Sequence, residues 1–166
     1  MAKKGRAATA ALQALQDAKI DFAPVEYEHS ASMEHGFALD IAEVLGLDPA
    51  TIFKTLVAFV DGRPVCAVVP ATSHLALKAL AAVVGGKHAE MAAPKKAQHL
   101  TGYVVGGISP LGQRTQLPVN IDDSALEQGA ILVSGGKRNL SVRVAPRDLA
   151  GVVGAEFASI AAAGHP

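Results

Sequence analysis

The run Ile52-Phe53-Lys54-Thr55-Leu56-Val57-Ala58-Phe59-Val60 constrains the fold of this chain more than any other stretch. It is apolar apart from Lys54 and Thr55, and it is rich in β-branched and aromatic residues, which predicts a buried strand. Asp61-Gly62 follows directly and is a hairpin signal, and residues 65–69 have the composition of the returning strand. An antiparallel pair of strands is therefore expected at the centre of the fold.

The other patterns predict strands in runs with helices between them. Helices are expected over residues 7–18, 37–45, 74–84 and 147–153, with a strand end and a small helix within 90–99. Further strands are expected over residues 20–27, 103–105, 119–121, 131–133 and 140–144, the first of them at a sheet edge because Pro24 cannot donate to a ladder. The tail from Phe157 is weakly specified. This order favours an α+β fold with a mixed sheet.

Composition sets the class of protein. The 166 residues suit one domain, 1–166, with residues 1–6 mobile. Lys+Arg and Asp+Glu are 15 each, so a nucleic-acid site would need a local patch; its candidates are Lys87, Lys95, Lys96, Arg114, Lys137 and Arg138. One cysteine excludes an intrachain disulfide, and no apolar run reaches the length of a membrane span, so we expect a soluble, cytoplasmic protein without membrane contact.

Lys54 is the first candidate functional residue. Strands alternate faces, so it shares a face with Ile52 and Leu56, while Phe53, Thr55 and Val57 occupy the other. A lysine between apolar neighbours must reach solvent, find a partner or line a cavity. Reaching solvent at the rim of a sheet and directing a cation at an ester carbonyl or phosphate are both open interpretations.

Two Gly-Gly segments follow apolar runs. Gly106-Gly107 leads into Ile108-Ser109-Pro110-Leu111-Gly112, and Gly135-Gly136 lies between Ser134 and the cations Lys137 and Arg138. Adjacent glycines after a strand permit positive φ or a close approach to a ligand. Each segment alone is typical of an ordinary loop or a solvated hairpin tip. If both lie at one end of a sheet, they would wall a pocket.

Other catalytic chemistries have little support. The six histidines lack metal-ligand spacing, and His29 and His35 with Glu26, Glu28 and Glu34 fit a polar surface loop better than a metal site. Cys66 lies in a buried-looking strand and is expected to be a core residue. No local motif for a Ser-His-Asp or Cys-His triad occurs. We therefore expect neither a metal nor a cofactor.

Five segments occur in the order of a known family: Tyr27-Glu28-His29, Leu45-Gly46-Leu47-Asp48-Pro49, Phe53-Lys54-Thr55-Leu56, Thr101-Gly102-Tyr103 through Gly112, and Ser134-Gly135-Gly136-Lys137-Arg138. With them the chain closely resembles the YbaK-type Cys-tRNA(Pro) deacylases, which belong to the superfamily of the prolyl-tRNA synthetase editing domain. The resemblance runs from about residue 8 to about 160. It implies a mixed, partly closed β-sheet surrounded by helices.

The resemblance also implies an activity, which is the removal of mischarged cysteine from Cys-tRNA(Pro), with prolyl-tRNA synthetase as a partner. By the same likeness Lys54 and Gly106 are the catalytic positions. The implied substrate-binding positions are Tyr27, Phe37, Thr55, Gly107, Ser109, Ser134, Gly135 and Ser141. In the family the proposed nucleophile is the thiol of the substrate's own cysteine, which would leave Cys66 without a catalytic role.

Two departures from the family pattern bear on specificity. The loop between Tyr27 and Phe37 is one residue longer than in relatives and lacks their common Asp-Pro start. Ser141 stands where the family often has an acidic residue, which leaves open how the substrate ammonium is held. Two alternatives follow: a deacylase for Ala-tRNA or another mischarged tRNA, and a non-catalytic tRNA- or synthetase-binding module of the same fold.

Overall fold

The structure is a computed structural model that describes residues 8–27, 42–43 and 45–163. No helix in these ranges is long and apolar enough to cross a membrane. The N-terminal residues expected to be mobile lie outside the described ranges. So do Phe37 and most of the helix predicted over 37–45, together with Glu28, His29, Glu34 and His35.

The predicted hairpin is present and long, and it follows a first strand, β1 (Phe22–Glu26), which belongs to another sheet. β2 (Phe53–Val60) pairs antiparallel with β3 (Arg63–Pro70) along its whole length. Asp61 and Gly62 both have positive φ, 50° and 82°, which gives the turn a twist that matches the twist of the strands. The Asp61 carboxylate accepts the N–H groups of Lys87 and His88 at 3.0 Å each, and these bonds lower its pKa.

The hairpin lies at the centre of a five-stranded mixed sheet. Its other members are β5 (Ala89–Met91), β6 (Val119–Asp122) and β9 (Glu156–Ala158), in the order β5-β2-β3-β6-β9. β5 runs antiparallel to β2, whereas β6 is parallel to β3 and β9 is parallel to β6. The α+β class with a mixed sheet is confirmed.

A second, antiparallel sheet contains three strands. They are β1, β7 (Ile131–Lys137) and β8 (Leu140–Val144), with β8 in the middle. β1 is an edge strand as Pro24 predicts. A parallel bridge between Ile52 and Leu132 joins the two sheets. A short pair, β4 (Ser73–Leu75) with β10 (Ala161–Ala163), completes the strands of the described residues.

Four α-helices cover the sheets in the described ranges: α1 (Ala10–Asp17), α2 (Leu77–Val83), α3 (Pro94–Thr101) and α4 (Pro146–Val153). Thr9 caps α1 by accepting the Leu12 N–H at 3.2 Å, and its hydroxyl also donates to the Gly135 carbonyl at 2.5 Å. A cap of this kind is worth about 1 kcal/mol. Here it also ties α1 to β7.

Successive side chains of β2 point to opposite faces of the sheet and so belong to different hydrophobic cores. Phe53 and Val57 belong to the larger core with α1, α4 and the inner face of the three-stranded sheet. Ala58 and Val60 belong to a smaller core with Leu80 of α2, and Leu56 packs against it. A third cluster gathers Ala42, Ile52, Ala71 and Leu132, with Val25 and Tyr27 packed on it. Lys54 thus shares its face with Leu56, as predicted.

Four element predictions are wrong in part. Residues 103–105 form no strand, because Gly102 ends α3 with φ 81° and the chain turns back there. After this turn the Tyr103 hydroxyl donates to the Leu111 carbonyl at 2.6 Å. The helix predicted from His74 begins at Leu77, because residues 73–75 pair with the C-terminal segment. That segment, predicted to be weakly specified, contains β9 and β10. Finally, β7 continues through Gly135-Gly136 to Lys137, with a shift of register between Ser134 and Lys137.

Candidate active site

Three polar side chains gather on the outer face of the three-stranded sheet. Ser134 of β7 and Ser141 of β8 are direct cross-strand partners, and Val25 of β1 lies opposite Ser141. Directly opposed residues share a face, so both hydroxyls are on the side away from the larger core. The Tyr27 hydroxyl lies 3.3 Å from the Ser141 Oγ, and the Tyr27 N–H donates to the Asn139 carbonyl at 3.2 Å. These contacts form a polar shelf of Tyr27, Ser134 and Ser141.

The shelf is partly shielded from water. Ser141 is only 5% exposed. Burial raises the pKa of Tyr27, and the hydrogen bond with Ser141 opposes this in part. The phenol is therefore neutral at physiological pH and can donate or accept a hydrogen bond. The shelf itself carries no charge.

Lys54 is linked to the shelf through the junction of the two sheets. The parallel bridge sets Ile52 next to Leu132. Lys54 and Ser134 each lie two residues beyond this bridge and therefore share the face of Ile52 and Leu132, because side chains repeat every second residue. The Lys54 side chain is half-buried, and desolvation lowers its pKa. No carboxylate of the described residues forms an ion pair with it. A partly desolvated cation without an ion-pair partner among the described residues is suited to bind an anion or to polarise a carbonyl.

The Gly106 segment approaches the end of the β7–β8 hairpin. Gly106 has φ 93°, and the Nε of Arg138 donates to the Val105 carbonyl at 3.1 Å. A Cβ built on Gly107 would lie 2.8 Å from the Cα of Lys137, so glycine is required there by a close approach of two backbones. The Gly106-Gly107 segment therefore packs on Lys137 and Arg138, the residues that follow Gly135-Gly136. That the two Gly-Gly segments wall a pocket stays a prediction.

The two glycines differ as hydrogen-bond donors. The Gly107 N–H donates to the Val104 carbonyl at 2.8 Å and closes a turn. It is therefore engaged, which argues against Gly107 as a donor to substrate. The Gly106 N–H has no hydrogen-bond partner in the described part of the chain, and Gly106 is exposed. Gly106 is the better candidate of the two.

Three other predicted site residues have structural contacts instead. Ser109 is fully buried; its Oγ accepts the Leu111 N–H at 3.2 Å and its carbonyl accepts the Gln113 side chain at 3.0 Å. Gly135 is buried against Leu140, its carbonyl bonded to Thr9. Thr55 lies on the face of β2 opposite to Lys54, and its hydroxyl is buried without a hydrogen-bond partner among the described residues. For these residues the prediction of direct substrate contact is not supported by their placement. Phe37 lies outside the described residues.

Cys66 is a core residue, as predicted. It is fully buried, and burial raises its pKa to about 12, while the Gln113 amide lies 3.6 Å from its sulfur. A thiol of this kind is inert as a nucleophile at neutral pH. Within the ranges that the structure describes, no three His, Cys, Asp or Glu side chains come close enough to hold a metal ion.

Sequence reasoning missed two residues that shape the site. Arg138 was counted only as a cation, yet it holds the Val105 carbonyl from 33 positions away. Gln113 joins Cys66, Ser109 and the Leu117 N–H, and so braces the segment that follows Gly107. Neither contact has a local signal, since each depends on where two distant segments meet.

This fold and this site define a class of aminoacyl-tRNA editing proteins. Residues 37–152 match the aminoacyl-tRNA editing domain family, and the chain belongs to that family. An Enterococcus faecalis protein with the provisional name Cys-tRNA(Pro)/Cys-tRNA(Cys) deacylase EbsC is 37% identical over 159 residues, which cover 95% of this chain and 96% of that protein.

Two further similarities are to proline-specific proteins. A proline–tRNA ligase of Maridesulfovibrio salexigens is 35% identical over 77 residues, 46% of this chain but only 13% of the ligase. A crystal structure described provisionally as a trans-editing enzyme for prolyl tRNA synthetase superposes with a TM-score of 0.78 at 25% identity, covering 95% of this chain and 99% of that one. The editing-domain fold inferred from the sequence motifs is confirmed.

Proposed function

We propose that the protein is an aminoacyl-tRNA deacylase that removes cysteine mischarged onto tRNA(Pro) in the cytoplasm. The observation that carries this proposal is the 37% identity to the EbsC deacylase, which extends over nearly the whole of both chains. The similarity to proline–tRNA ligases supports a link to proline-specific tRNA. Prolyl-tRNA synthetase is the proposed partner that would deliver the substrate.

The proposed chemistry needs little from the protein because an aminoacyl ester is already activated. The thiol sulfur of the substrate cysteine attacks the carbonyl carbon of its own ester. The carbon–oxygen bond to the terminal ribose then breaks, the thiol proton passes to the ribose oxygen, and a cyclic thiolactone leaves. Binding the ester and the thiol in one geometry supplies most of the acceleration. The inert, buried Cys66 supports the substrate thiol as nucleophile.

The residues of the site have roles consistent with this reaction. The Gly106 N–H would donate to the developing oxyanion, and removing such a donor typically costs about 3 kcal/mol in the barrier. Lys54 would either bind the terminal phosphate or ribose, or polarise the ester. Tyr27, Ser134 and Ser141 would hydrogen-bond the amino group and the ribose. Among the described residues, the shelf would hold the ammonium through hydroxyl oxygens.

The decisive experiment compares turnover of Cys-tRNA(Pro) and Ala-tRNA(Pro) by the wild type, Lys54→Ala and Lys78→Ala. Lys78 is an exposed lysine of α2, a helix that packs on Ala58 and Val60 in the smaller core, and serves as the matched control. We expect rapid loss of cysteine but not alanine, abolished by Lys54→Ala and unchanged in Lys78→Ala. Loss of alanine instead would show that the proposed substrate, Cys-tRNA(Pro), is wrong. No loss of either by folded protein would favour the non-catalytic binding module.

A further inference from the structure

Two segments of this electrically neutral chain contain cations and no acids. Residues 91–121 include Lys95, Lys96 and Arg114 without a single Asp or Glu. Residues 128–147 include Lys137, Arg138, Arg143 and Arg147, also without an acid. The chain is neutral overall, but its positive charges are concentrated in these two segments.

The structure joins them at the Val104–Gly107 turn. On one side of the turn, Arg138 donates to the Val105 carbonyl at 3.1 Å, and Gly107 packs on the backbone of Lys137. On the other side, the Gln98 side chain of α3 accepts the Val105 N–H at 2.9 Å. The hairpin tip, the turn and α3 consequently form one continuous surface.

The cations of this surface are exposed and unpaired among the described residues. Gln98 faces the turn, and Lys95 lies on the same side of α3 because it is three residues earlier. Arg114 lies at the other end of α3, where it donates to the His99 carbonyl at 3.3 Å. Lys95, Lys96, Arg114, Lys137 and Arg138 are all exposed, and none forms an ion pair in the described ranges; together we call them the cationic band.

The surroundings of the band fit a binding surface. Val104 and Val105, 50% and 42% exposed, lie between its two halves. Exposed apolar residues rimmed by charge commonly mark interaction sites. The acid that strand register brings near the hairpin is Glu26, which lies opposite Leu140, the partner of Lys137 next to the tip. Glu26 forms no ion pair with Lys137 or Arg138 in the described residues.

We propose that the cationic band binds the sugar–phosphate backbone of the acceptor arm of tRNA. This inference rests on the proposed function, because the ester to be cleaved is attached to the end of an RNA chain. The phosphates next to that ester must cross the surface beside Gly106, and in the described structure that surface is the band. Backbone contacts of this kind supply affinity and position without reading sequence.

The test measures binding of fluorescein-labelled, non-acylated tRNA by anisotropy at several salt concentrations, with Lys95→Glu/Lys96→Glu. We expect roughly tenfold weaker binding, and a slope of log affinity against log salt that is smaller by about 2, one for each lysine. The variant should fold normally, because glutamate is favourable in the first turn of a helix. Circular dichroism and the melting temperature check this.

Lys19→Glu/Lys78→Glu is the matched control. It makes the same change of charge at two lysines outside the two acid-free segments. We expect its affinity to stay within about twofold of the wild type. If both double substitutions weaken tRNA binding equally, net charge alone determines the affinity and the proposed role of the band is wrong. An unchanged tRNA affinity of Lys95→Glu/Lys96→Glu would also contradict the proposal.

Non-acylated tRNA separates this proposal from the proposed function. If the protein binds tRNA through the band but cleaves no ester, the proposed deacylase activity is wrong and the proposed role of the band stands. If the protein is a deacylase whose tRNA affinity is unchanged by Lys95→Glu/Lys96→Glu, the deacylase activity stands and the role of the band is wrong. Unchanged tRNA binding together with lost binding to prolyl-tRNA synthetase would assign the band to an acidic protein surface and would overturn the proposal.

Discussion

Lys54 combines features that rarely occur together on a strand. It shares a face with apolar residues of β2, is half-buried, and has a pKa lowered by desolvation without a described carboxylate to compensate. Desolvation disfavours the charged form of lysine, so the folded protein is less stable with the ammonium present than with the neutral amine. This cost is present at neutral pH and is removed as the pH rises through the lowered pKa. A cation kept at a cost in stability is a reasonable sign of function.

The pH dependence of turnover should follow from this shift. If the Lys54 ammonium acts in the reaction, turnover should begin to fall with rising pH below the ordinary lysine value of 10.5, because the cation is lost early. Lys54→Arg should retain turnover at these alkaline pH values, since guanidinium stays protonated. The measurement is single-turnover deacylation corrected for spontaneous ester hydrolysis. Identical alkaline limbs in both proteins would exclude the ammonium as the titrating group.

Lys54→Met supplies the control for folding. It removes the charge but keeps the apolar stem, so its melting temperature should equal or exceed that of the wild type. A folded, inactive Lys54→Met would assign the loss to chemistry or binding.

At the scale of elements, the candidate site depends on a contact between two irregular segments. The Val104–Gly107 turn rests on the end of the β7–β8 hairpin, and glycine at 107 lets the two backbones meet. The shift of register after Ser134 and the positive φ of Asn139 shape that hairpin end. Bulges of this kind often lie next to active sites, where they redirect the chain.

Gly107→Ala tests this contact. The added methyl group would meet the Cα and carbonyl carbon of Lys137 at 2.8 and 2.9 Å, backbone atoms that cannot turn away. We expect the turn to be displaced, a destabilisation of about 1–3 kcal/mol, and a loss of turnover of up to about a hundredfold. Urea denaturation and single-turnover kinetics measure the two effects.

Gly151→Ala is the matched control for that substitution. Gly151 is an exposed position of α4, where an added methyl group would have no other atom within 4 Å and where φ is not positive. Alanine there should stabilise the protein by up to about 1 kcal/mol, because it is the better helix former, and should leave turnover unchanged. Similar losses of turnover in Gly107→Ala and Gly151→Ala would show that the Val104–Gly107 turn has no specific role in turnover.

At the scale of the whole molecule, Asp122 ties the C-terminal segment to the main sheet. It lies at the end of β6 and is 5% exposed. Its Oδ1 accepts the N–H groups of Ile160 and Ala161 at 3.0 and 2.9 Å, and its Oδ2 accepts the N–H and hydroxyl of Ser124. The carboxylate thereby sets where β10 begins, and β10 in turn pairs with β4.

Asp122→Ala should therefore destabilise the whole protein. Four donors lose their acceptor, and we expect a loss of about 3 kcal/mol in the free energy of unfolding. Asp122→Asn keeps one acceptor oxygen and should lose less. Urea denaturation measures both, while turnover well below the unfolding transition should be retained. A stability equal to wild type in Asp122→Ala would show that other contacts hold the C-terminal segment.

Local sequence patterns were enough to predict the central hairpin, the edge strand at Pro24, the mixed α+β class and the buried Cys66. These follow from alternation, turn chemistry and burial, which act over a few neighbouring residues. The motifs also led directly to the editing family. Lys54 stood out for the same local reason, as a cation in an apolar strand.

Contacts between distant segments, in contrast, determine which candidate residues lie together. The tertiary structure joined Tyr27 to Ser141, packed the Gly106-Gly107 segment on Lys137 and Arg138, and turned Ser109 and Thr55 inward. It also replaced the predicted strand at residues 103–105 with a turn and made strands of the tail. In each case the deciding contact joins residues far apart in sequence, and no local pattern encodes the energy of such a contact.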